Sequence, residues 1–116
     1  MRHHDRKRSL GRKRDERRAL LKSLSCSLIR DGKIKTTEAK AKELRPHIEK
    51  IVTQAKTDTL AKRRIVLSKL DNKTQTAKLF KEIAPKYAKR SGGYTRIIKL
   101  PIRKSDASKM ALIEFV

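Results

Sequence analysis

The stretch KIKTTEAKAKELRPHIEKIVTQA, residues 33–55, contains a change of hydrophobic period that decides the fold class. Residues 33–36 are too few and too rich in β-branched side chains for a helix, so we expect a short strand with Ile34 buried. Thr36 or Thr37 can then cap a helix. The apolar positions of this helix recur mainly at steps of three and four residues: Ala41, Leu44, Ile48, Ile51, Val52 and Ala55. A strand followed directly by an amphipathic helix favours an α+β fold.

A second amphipathic helix is predicted on the N-terminal side of this segment, from an N-cap at Asp15 to about Arg30. Its apolar side chains are Leu20, Leu21, Leu24 and Leu28. The pair Asp31-Gly32 is expected to end it, because glycine readily takes the left-handed conformation found at helix C-termini. The strand at residues 33–36 therefore lies between two helices.

Two further helices are predicted on the C-terminal side. Asp58 is the expected N-cap of the first, although Arg63 falls on its apolar stripe. That stripe consists of Leu60, Leu67 and Leu70. The second helix follows Asn72, and its buried face is predicted to contain Thr76, Phe80, Ile83, Ala84 and Tyr87.

Prolines and glycines should interrupt this helical region at defined places. We expect Pro46 to kink the helix at residues 37–55, because proline removes a backbone hydrogen bond. Pro85 should divide the last helix into a helix and a further turn. Ser91-Gly92-Gly93 should end it.

The pattern changes to that of β-strands after the glycine pair. Residues 94–100 and 110–116 are rich in β-branched, aromatic and aliphatic side chains, and we expect them to pair. Their connection, residues 101–109, is long for a tight turn and should project as a basic loop. The sequence thus predicts a two-layer α+β fold in the order helix, strand, three helices and two strands. A small three-stranded mixed sheet should pack on the helices.

Positive charge dominates the composition. The 116 residues include 33 Lys and Arg against 12 Asp and Glu, a net charge of +21. Residues 1–14 carry seven of these cations against Asp5 alone, which predicts a basic extension before a single domain at 15–116. If the basic surface contacted only water, such a surplus would lower the stability of the protein, because like charges repel each other. Neutralising phosphates releases counterions and provides affinity, so the composition favours a nucleic-acid partner.

Other kinds of chemistry find little support. His3 and His4 are adjacent and far from His47, which is not the ligand spacing of a zinc site. The single cysteine, Cys26, has no visible base that would activate it as a nucleophile. Gly92-Gly93 lacks the remainder of a nucleotide-binding motif. We therefore expect no enzymatic activity, metal, cofactor or small-molecule substrate.

The expected location and binding mode follow from two further observations. No apolar run approaches the roughly 18 residues that span a bilayer, so we expect a cytoplasmic protein without a membrane partner. The aromatic residues are few, at 3% of the chain, and most are needed for the core. The sequence therefore does not support a protein that stacks the bases of single-stranded RNA on exposed aromatic rings. We expect it to contact the phosphates and the overall shape of a folded RNA. A nucleoid-type DNA-binding protein and a basic RNA-binding translation factor remain alternatives.

Six short segments form a distinctive set: Met1-Arg2-His3, Ile34-Lys35-Thr36-Thr37, Lys40-Ala41-Lys42-Glu43-Leu44-Arg45, Ala55-Lys56-Thr57-Asp58, Leu79-Phe80 and Gly92-Gly93-Tyr94-Thr95-Arg96-Ile97. With them the chain resembles, over nearly its full length, the bacterial large-subunit ribosomal protein family seventeen. The resemblance implies a structural protein bound to large-subunit (23S) rRNA near the peptide exit region, beside neighbouring large-subunit ribosomal proteins. It implies no catalysis and no cofactor, and we expect no homo-oligomer.

The residues expected to contact RNA are mostly the basic side chains of the extension, the first helix, the first strand, the glycine turn and the C-terminal loop. They are Arg2, His3, His4, Arg6, Lys7, Arg8, Arg12, Lys13, Arg14, Arg17, Arg18, Lys35, Lys40, Arg90, Gly92, Gly93, Tyr94, Arg96, Arg103 and Lys104. The two glycines either only end a helix or also let the backbone approach a phosphate, and the sequence leaves both interpretations open.

Overall fold

The computed structural model describes residues 10–116, so most of the predicted basic extension at 1–14 lies outside the described residues. The helices are α1 (Arg14–Asp31), α2 (Glu38–Ala55), α3 (Leu60–Leu70) and α4 (Lys73–Lys78), and the strands are β1 (Lys33–Thr37), β2 (Thr95–Leu100) and β3 (Met110–Phe115). A π-helical turn (Leu79–Ile83) and a 3₁₀ turn (Ala84–Tyr87) continue α4. The predicted α+β class and element order are confirmed.

The central helix α2 follows the sequence pattern closely. Oγ1 of Thr37 accepts a hydrogen bond from the backbone N–H of Lys40, so Thr37 is the N-cap. All six predicted apolar positions of α2 are buried. The helix continues through Pro46, whose side of α2 is exposed. At the other junction, Gly32 ends α1 with φ of 79° and donates its N–H to the carbonyl of Leu28.

The predicted cap of α3 is wrong by one residue. Oγ1 of Thr59 accepts a hydrogen bond from the backbone N–H of Lys62, at 3.2 Å, so Thr59 is the N-cap. The carboxylate of Asp58 instead lies 2.6 Å from Nε of Arg63. An arginine within reach of Asp58 competes for its carboxylate, and the neighbouring hydroxyl is left to satisfy the helix end.

The predicted stripe of α3 is only partly buried. Leu60 is 64% exposed because it lies in the first turn, whereas the second half of the helix reaches the core with Val66 and Leu70. Arg63, which interrupts the stripe, places its guanidinium 4.9 Å from the ring centroid of Phe80. A cation can cover an aromatic face in this way, so Arg63 is compatible with an amphipathic helix.

The three strands form one sheet in the order β1-β3-β2. Because β3 lies between the other two and runs antiparallel to both, the sheet is antiparallel throughout. This corrects the predicted mixed sheet: β1 and β2 run in the same direction but never pair. The register aligns Ile34, Ile113 and Ile97 in one row across the sheet.

The two faces of the sheet differ in character. The row of Ile34, Ile113 and Ile97 packs against the helical core. Since side chains alternate along a strand, the neighbouring rows lie on the opposite face. Those rows are Lys33-Glu114-Arg96 and Lys35-Leu112-Ile98. The domain therefore has two layers, with helices on one face of the sheet and a partly basic face on the other.

The segment after Asn72 also matches its prediction. Asn72 caps α4 by accepting the N–H of Gln75. The five residues predicted to share a face are all buried: Thr76, Phe80, Ile83, Ala84 and Tyr87. The turn at Pro85 follows as expected. Within residues 10–116, no helix has both the length and the apolar character needed to cross a membrane.

Candidate nucleic-acid interface

The extension joins the folded domain at the start of α1. Six of its predicted contact residues lie outside the described part of the chain: Arg2, His3, His4, Arg6, Lys7 and Arg8. Nη1 of Arg12 donates to the carbonyl of Leu10, at 2.6 Å. Lys13 is exposed at the N-cap position of α1, and Arg14 is exposed at its first residue. The described cations of the extension, Arg12 and Lys13, therefore directly precede those of the helix.

A groove of about 630 Å³ lies beside the first two turns of α1. We call it the α1 groove, and it is lined by Arg14, Arg17, Arg18, Leu21, Lys22, His47, Ser68 and Lys69. Three of its cations were predicted contacts. Nη1 of Arg17 also lies 3.2 Å from Oε1 of Glu43, so a carboxylate from α2 holds one side of the groove.

Sequence reasoning missed three basic residues of the α1 groove. Lys22 follows Arg14 and Arg18 at four-residue steps, and this helical spacing could have placed it on the same face. Lys69 comes from α3 and His47 from α2. No local signal connects them to α1, because only the packing of the helices brings them there.

The environment of His47 is strongly cationic. Burial lowers the pKa of His47 below its usual 6.5, and the nearby charges of Lys69, Lys50 and Arg17 lower it further, whereas Glu43 opposes them. Nε2 of His47 is buried and has no hydrogen-bond partner in the described part of the chain. Burial and the neighbouring cations therefore both disfavour the protonated form of this imidazole in the wall of the α1 groove.

The outer face of the sheet carries a second group of cations. Lys33 and Lys35 of β1 are exposed on this face, as is Arg96 of β2. Nε of Arg96 lies 2.6 Å from Oε1 of Glu114, a cross-strand neighbour. Predicted contacts Lys35 and Arg96 thus share one surface, although they are separated by β3.

The glycine turn is held by side chains of α2. The N–H of Gly93, which has φ of 64°, donates to Oε1 of Glu49 at 3.0 Å. Nη1 of Arg90 donates to the carbonyl of Gly93 at 3.2 Å. No atom lies within 4 Å of the position that a Cβ on Gly93 would occupy. The outer side of the turn is therefore open to a ligand.

Tyr94 does not present its ring to solvent. Its side chain is only 1% exposed, and its ring lies 5.2 Å from that of Tyr87. Nζ of Lys56 donates both to the Tyr94 hydroxyl and to the carbonyl of Arg90. Tyr94 therefore helps to position the glycine turn, and its buried ring is not available for stacking on RNA.

The basic loop at residues 101–109 is internally braced. Nη2 of Arg103 lies 2.6 Å from Oδ2 of Asp106, and this hydrogen-bonded arginine lowers the pKa of the Asp106 carboxyl. Lys104 is exposed at the tip. Lys40 lies apart from the α1 groove, half-buried in the first turn of α2. Arg103 therefore shapes the loop, whereas Lys104 is placed to contact a partner.

Side chains suited to holding a metal are not grouped: across residues 10–116, no cluster of three or more His, Cys, Asp or Glu could bind an ion. The thiol of Cys26 lies 3.4 Å from the carbonyl of Leu70, and burial raises its pKa, which makes it a poor nucleophile. The described surface offers concentrated positive charge and an open glycine turn. Such an arrangement can bind phosphates.

Comparison with known proteins agrees with this geometry. The family model described as ribosomal protein L17 matches residues 20–116. The large ribosomal subunit protein bL17 of Fusobacterium nucleatum is 50% identical over 116 residues, covering the whole of both chains. The bL17 proteins of Campylobacter lari and Sphingopyxis alaskensis are 52% and 53% identical over all of this chain, covering 99% and 84% of their own. The chain therefore belongs to the ribosomal protein L17 family, as its sequence motifs indicated.

Proposed function

We propose that the protein is a structural constituent of the large ribosomal subunit that binds folded large-subunit (23S) rRNA through phosphate and shape contacts. Relatives that match the whole chain at about half identity are named as large ribosomal subunit proteins, which supports this role. The family is one of structural ribosomal proteins and not of enzymes. As part of a bacterial ribosome, the protein works in translation in the cytoplasm.

The observation that carries the proposal is the placement of the charge. The chain has a net charge of +21, and its described part contains a hydrophobic core. The cations lie in separate places: the α1 groove, the outer face of the sheet and the tip of the 101–109 loop. Cations on several sides can neutralise phosphates from more than one RNA strand, and each neutralised phosphate releases counterions. The domain therefore holds neighbouring RNA segments at fixed distances.

The positions of the aromatic side chains support shape recognition. Phe80, Tyr87 and Tyr94 are buried, and Phe115 packs against the core. Proteins that recognise single-stranded RNA by sequence usually stack bases on exposed aromatic rings. In residues 10–116 the aromatic rings pack in or against the core. The protein therefore recognises RNA through contacts to the RNA backbone and to its overall shape.

The basic extension should add to this binding. Its cations are continuous with Arg14 and Arg18 of α1, so it is placed to lie as an extended segment along or between rRNA helices. The outer sheet face, with apolar Ile98 and Leu112 between cations, is a candidate contact for rRNA or for a neighbouring ribosomal protein. We expect the protein to act as one copy per subunit and not as a homo-oligomer.

The proposal is tested by binding to three ligands at moderate salt. Purified protein should co-sediment with large ribosomal subunits that lack it, and protect specific nucleotides of large-subunit rRNA from hydroxyl radicals. At the same salt concentration, much less protein should be retained on duplex DNA, because non-specific binding is almost purely electrostatic and is weakened by salt. Equal binding to DNA would instead favour a nucleoid-type protein, and binding to messenger leaders but not to subunits would favour a translation factor.

A further inference from the structure

The α1 groove is adjacent to a second groove, and the two share Lys69 of α3. The second groove, of about 380 Å³, lies on the other side of Lys69 and is lined by Glu49, Lys50, Ser91 and Gly92 among others. We call the second one the turn groove. The two basic regions that look separate in the sequence, the start of α1 and the glycine turn, are thus joined through a lysine of α3.

The charges along this path have one dominant sign. Arg14, Arg18 and Lys22 line the α1 groove. Lys69 lines both grooves, and Lys50 lines the turn groove. The acids near the path are engaged by the protein: Glu43 pairs with Arg17, and Glu49 accepts the N–H of Gly93 and lies 3.5 Å from Arg45. Because the nearby carboxylates already have partners within the protein, the row of cations is suited to binding a polyanion with regularly spaced charges.

The cations of the path come from α1, α2 and α3. Like charges brought together on three different helices destabilise the free protein, and they also depress the pKa of His47. The imidazole Nε2 in the wall of the groove has no partner in the described part of the chain. An unfavourable arrangement of this kind is relieved when an anion occupies the groove.

We propose that the α1 groove and the turn groove form one continuous track for a single stretch of RNA backbone, with Lys69 contacting a phosphate at its centre. This inference rests on the proposed function and specifies where on the protein a strand lies. Lys69 and Lys22 become contacts in addition to those predicted from sequence. The RNA strand enters beside Arg14, passes Lys69 and leaves beside Gly92.

The first experiment compares matched lysines. Lys69→Gln should reduce the affinity for large-subunit rRNA several-fold, and the log–log salt slope should shrink by about 0.7 to 0.9 for one lost phosphate contact. Lys81→Gln removes the same charge from an exposed position away from both grooves and should change neither quantity. Lys69→Arg should retain the slope. If Lys69→Gln and Lys81→Gln behave alike, the track does not exist.

The second experiment tests continuity. Ser68 lines the α1 groove and Ser91 lines the turn groove, so each can be replaced by cysteine in a Cys26→Ser background and carry a tethered iron–EDTA probe. On bound rRNA, the two probes should cleave the same strand within a few nucleotides of each other. Cleavage in two unrelated rRNA helices would overturn the proposal.

The histidine provides a third readout that does not depend on affinity. A phosphate in the track offsets the field of Lys69, Lys50 and Arg17, so the pKa of His47, followed by NMR, should rise when rRNA binds. An unchanged His47 titration in the complex would contradict the track. If wild-type protein fails to bind rRNA at all, the proposed function fails; if it binds and Lys69→Gln binds equally, only the track fails.

Discussion

The hydroxyl of Tyr94 lies 3.2 Å from Oγ1 of Thr53, which joins the residue before β2 to the last turn of α2 across 41 positions of sequence. The same hydroxyl is 3.3 Å from the carbonyl of Arg90 and accepts a hydrogen bond from Lys56. One buried phenol therefore fixes the glycine turn to the central helix. The order of the turn depends on this contact as well as on the glycines.

We expect Tyr94→Phe to lower the free energy of unfolding by about 1 kcal/mol, because it removes hydrogen bonds but keeps the ring. Tyr94→Ala should cost about 3–5 kcal/mol, since it leaves a cavity beside Tyr87. Urea denaturation of the two variants measures both values. Equal losses would mean that the hydroxyl, and not the ring, carries the stability.

Gly93→Val tests the shape of the turn without changing its charge. A β-branched residue at φ of 64° is strained by about 1–3 kcal/mol, so the turn should move and the affinity for rRNA should fall. The salt slope should stay nearly constant because no cation is removed. Gly93→Asn is the matched control, since asparagine tolerates this conformation. A large change of slope in Gly93→Val would show that the turn acts electrostatically.

Deleting residues 1–12 tests the extension. The deletion removes Arg2, Arg6, Lys7, Arg8 and Arg12 but keeps Lys13, the N-cap of α1. If four or five of these cations reach phosphates, the log–log salt slope should shrink by about three to four, and the remaining domain should still bind. Binding across a salt series measures this. An unaltered slope would show that the extension does not touch RNA.

The free protein should lose stability as the pH falls below 6.5. Burial and cationic neighbours lower the pKa of His47 in the folded state, so the unfolded chain binds more protons below its ordinary pKa of 6.5. This stability is fully present above 6.5 and decreases as the pH approaches the lower, folded-state pKa. Unfolding at pH 7.5 and 5.5 should give a larger difference in wild-type protein than in His47→Gln. Identical differences would contradict the effect.

Moderate salt should raise the Tm of the free protein. At about 0.15 M, repulsion between charges more than roughly 8 Å apart is largely screened, and a net charge of +21 makes repulsion dominant. Exposed pairs such as Asp58 with Arg63 weaken at the same time, but such pairs contribute little. Scanning calorimetry from low to moderate ionic strength should show the increase, and a constant or falling Tm would argue against it.

Local features of the fold could be predicted from the sequence, because each depends on near neighbours. The apolar stripe of α2, the cap at Thr37 and the stop at Gly32 are all of this kind. The strand order could not be predicted, since nothing in residues 110–116 indicates that they insert between two earlier strands. The exposed position of Leu60 was missed because helical spacing does not reveal where a helix leaves the core.

The candidate site divides in the same way. Arg14 and Arg18 were identified from their own basic segment, whereas Lys69 reaches the α1 groove only through the packing of α3. Tyr94 belongs to the segment at residues 92–97 that the sequence links to RNA, yet its side chain contacts Tyr87, Thr53 and the core. Sequence neighbourhood indicates a functional segment, but tertiary contacts decide which side chains in it face a ligand.

The central position of β3 determines when the sheet can form during synthesis of the chain. The strand that pairs with both of its neighbours, Met110–Phe115, is the last of the three described strands in sequence order. While the polypeptide is being elongated, β1 and β2 each lack the partner that supplies their backbone hydrogen bonds. Completion of the sheet therefore waits until Met110–Phe115 has been synthesised, and a nascent chain of this protein carries two open strand edges until then.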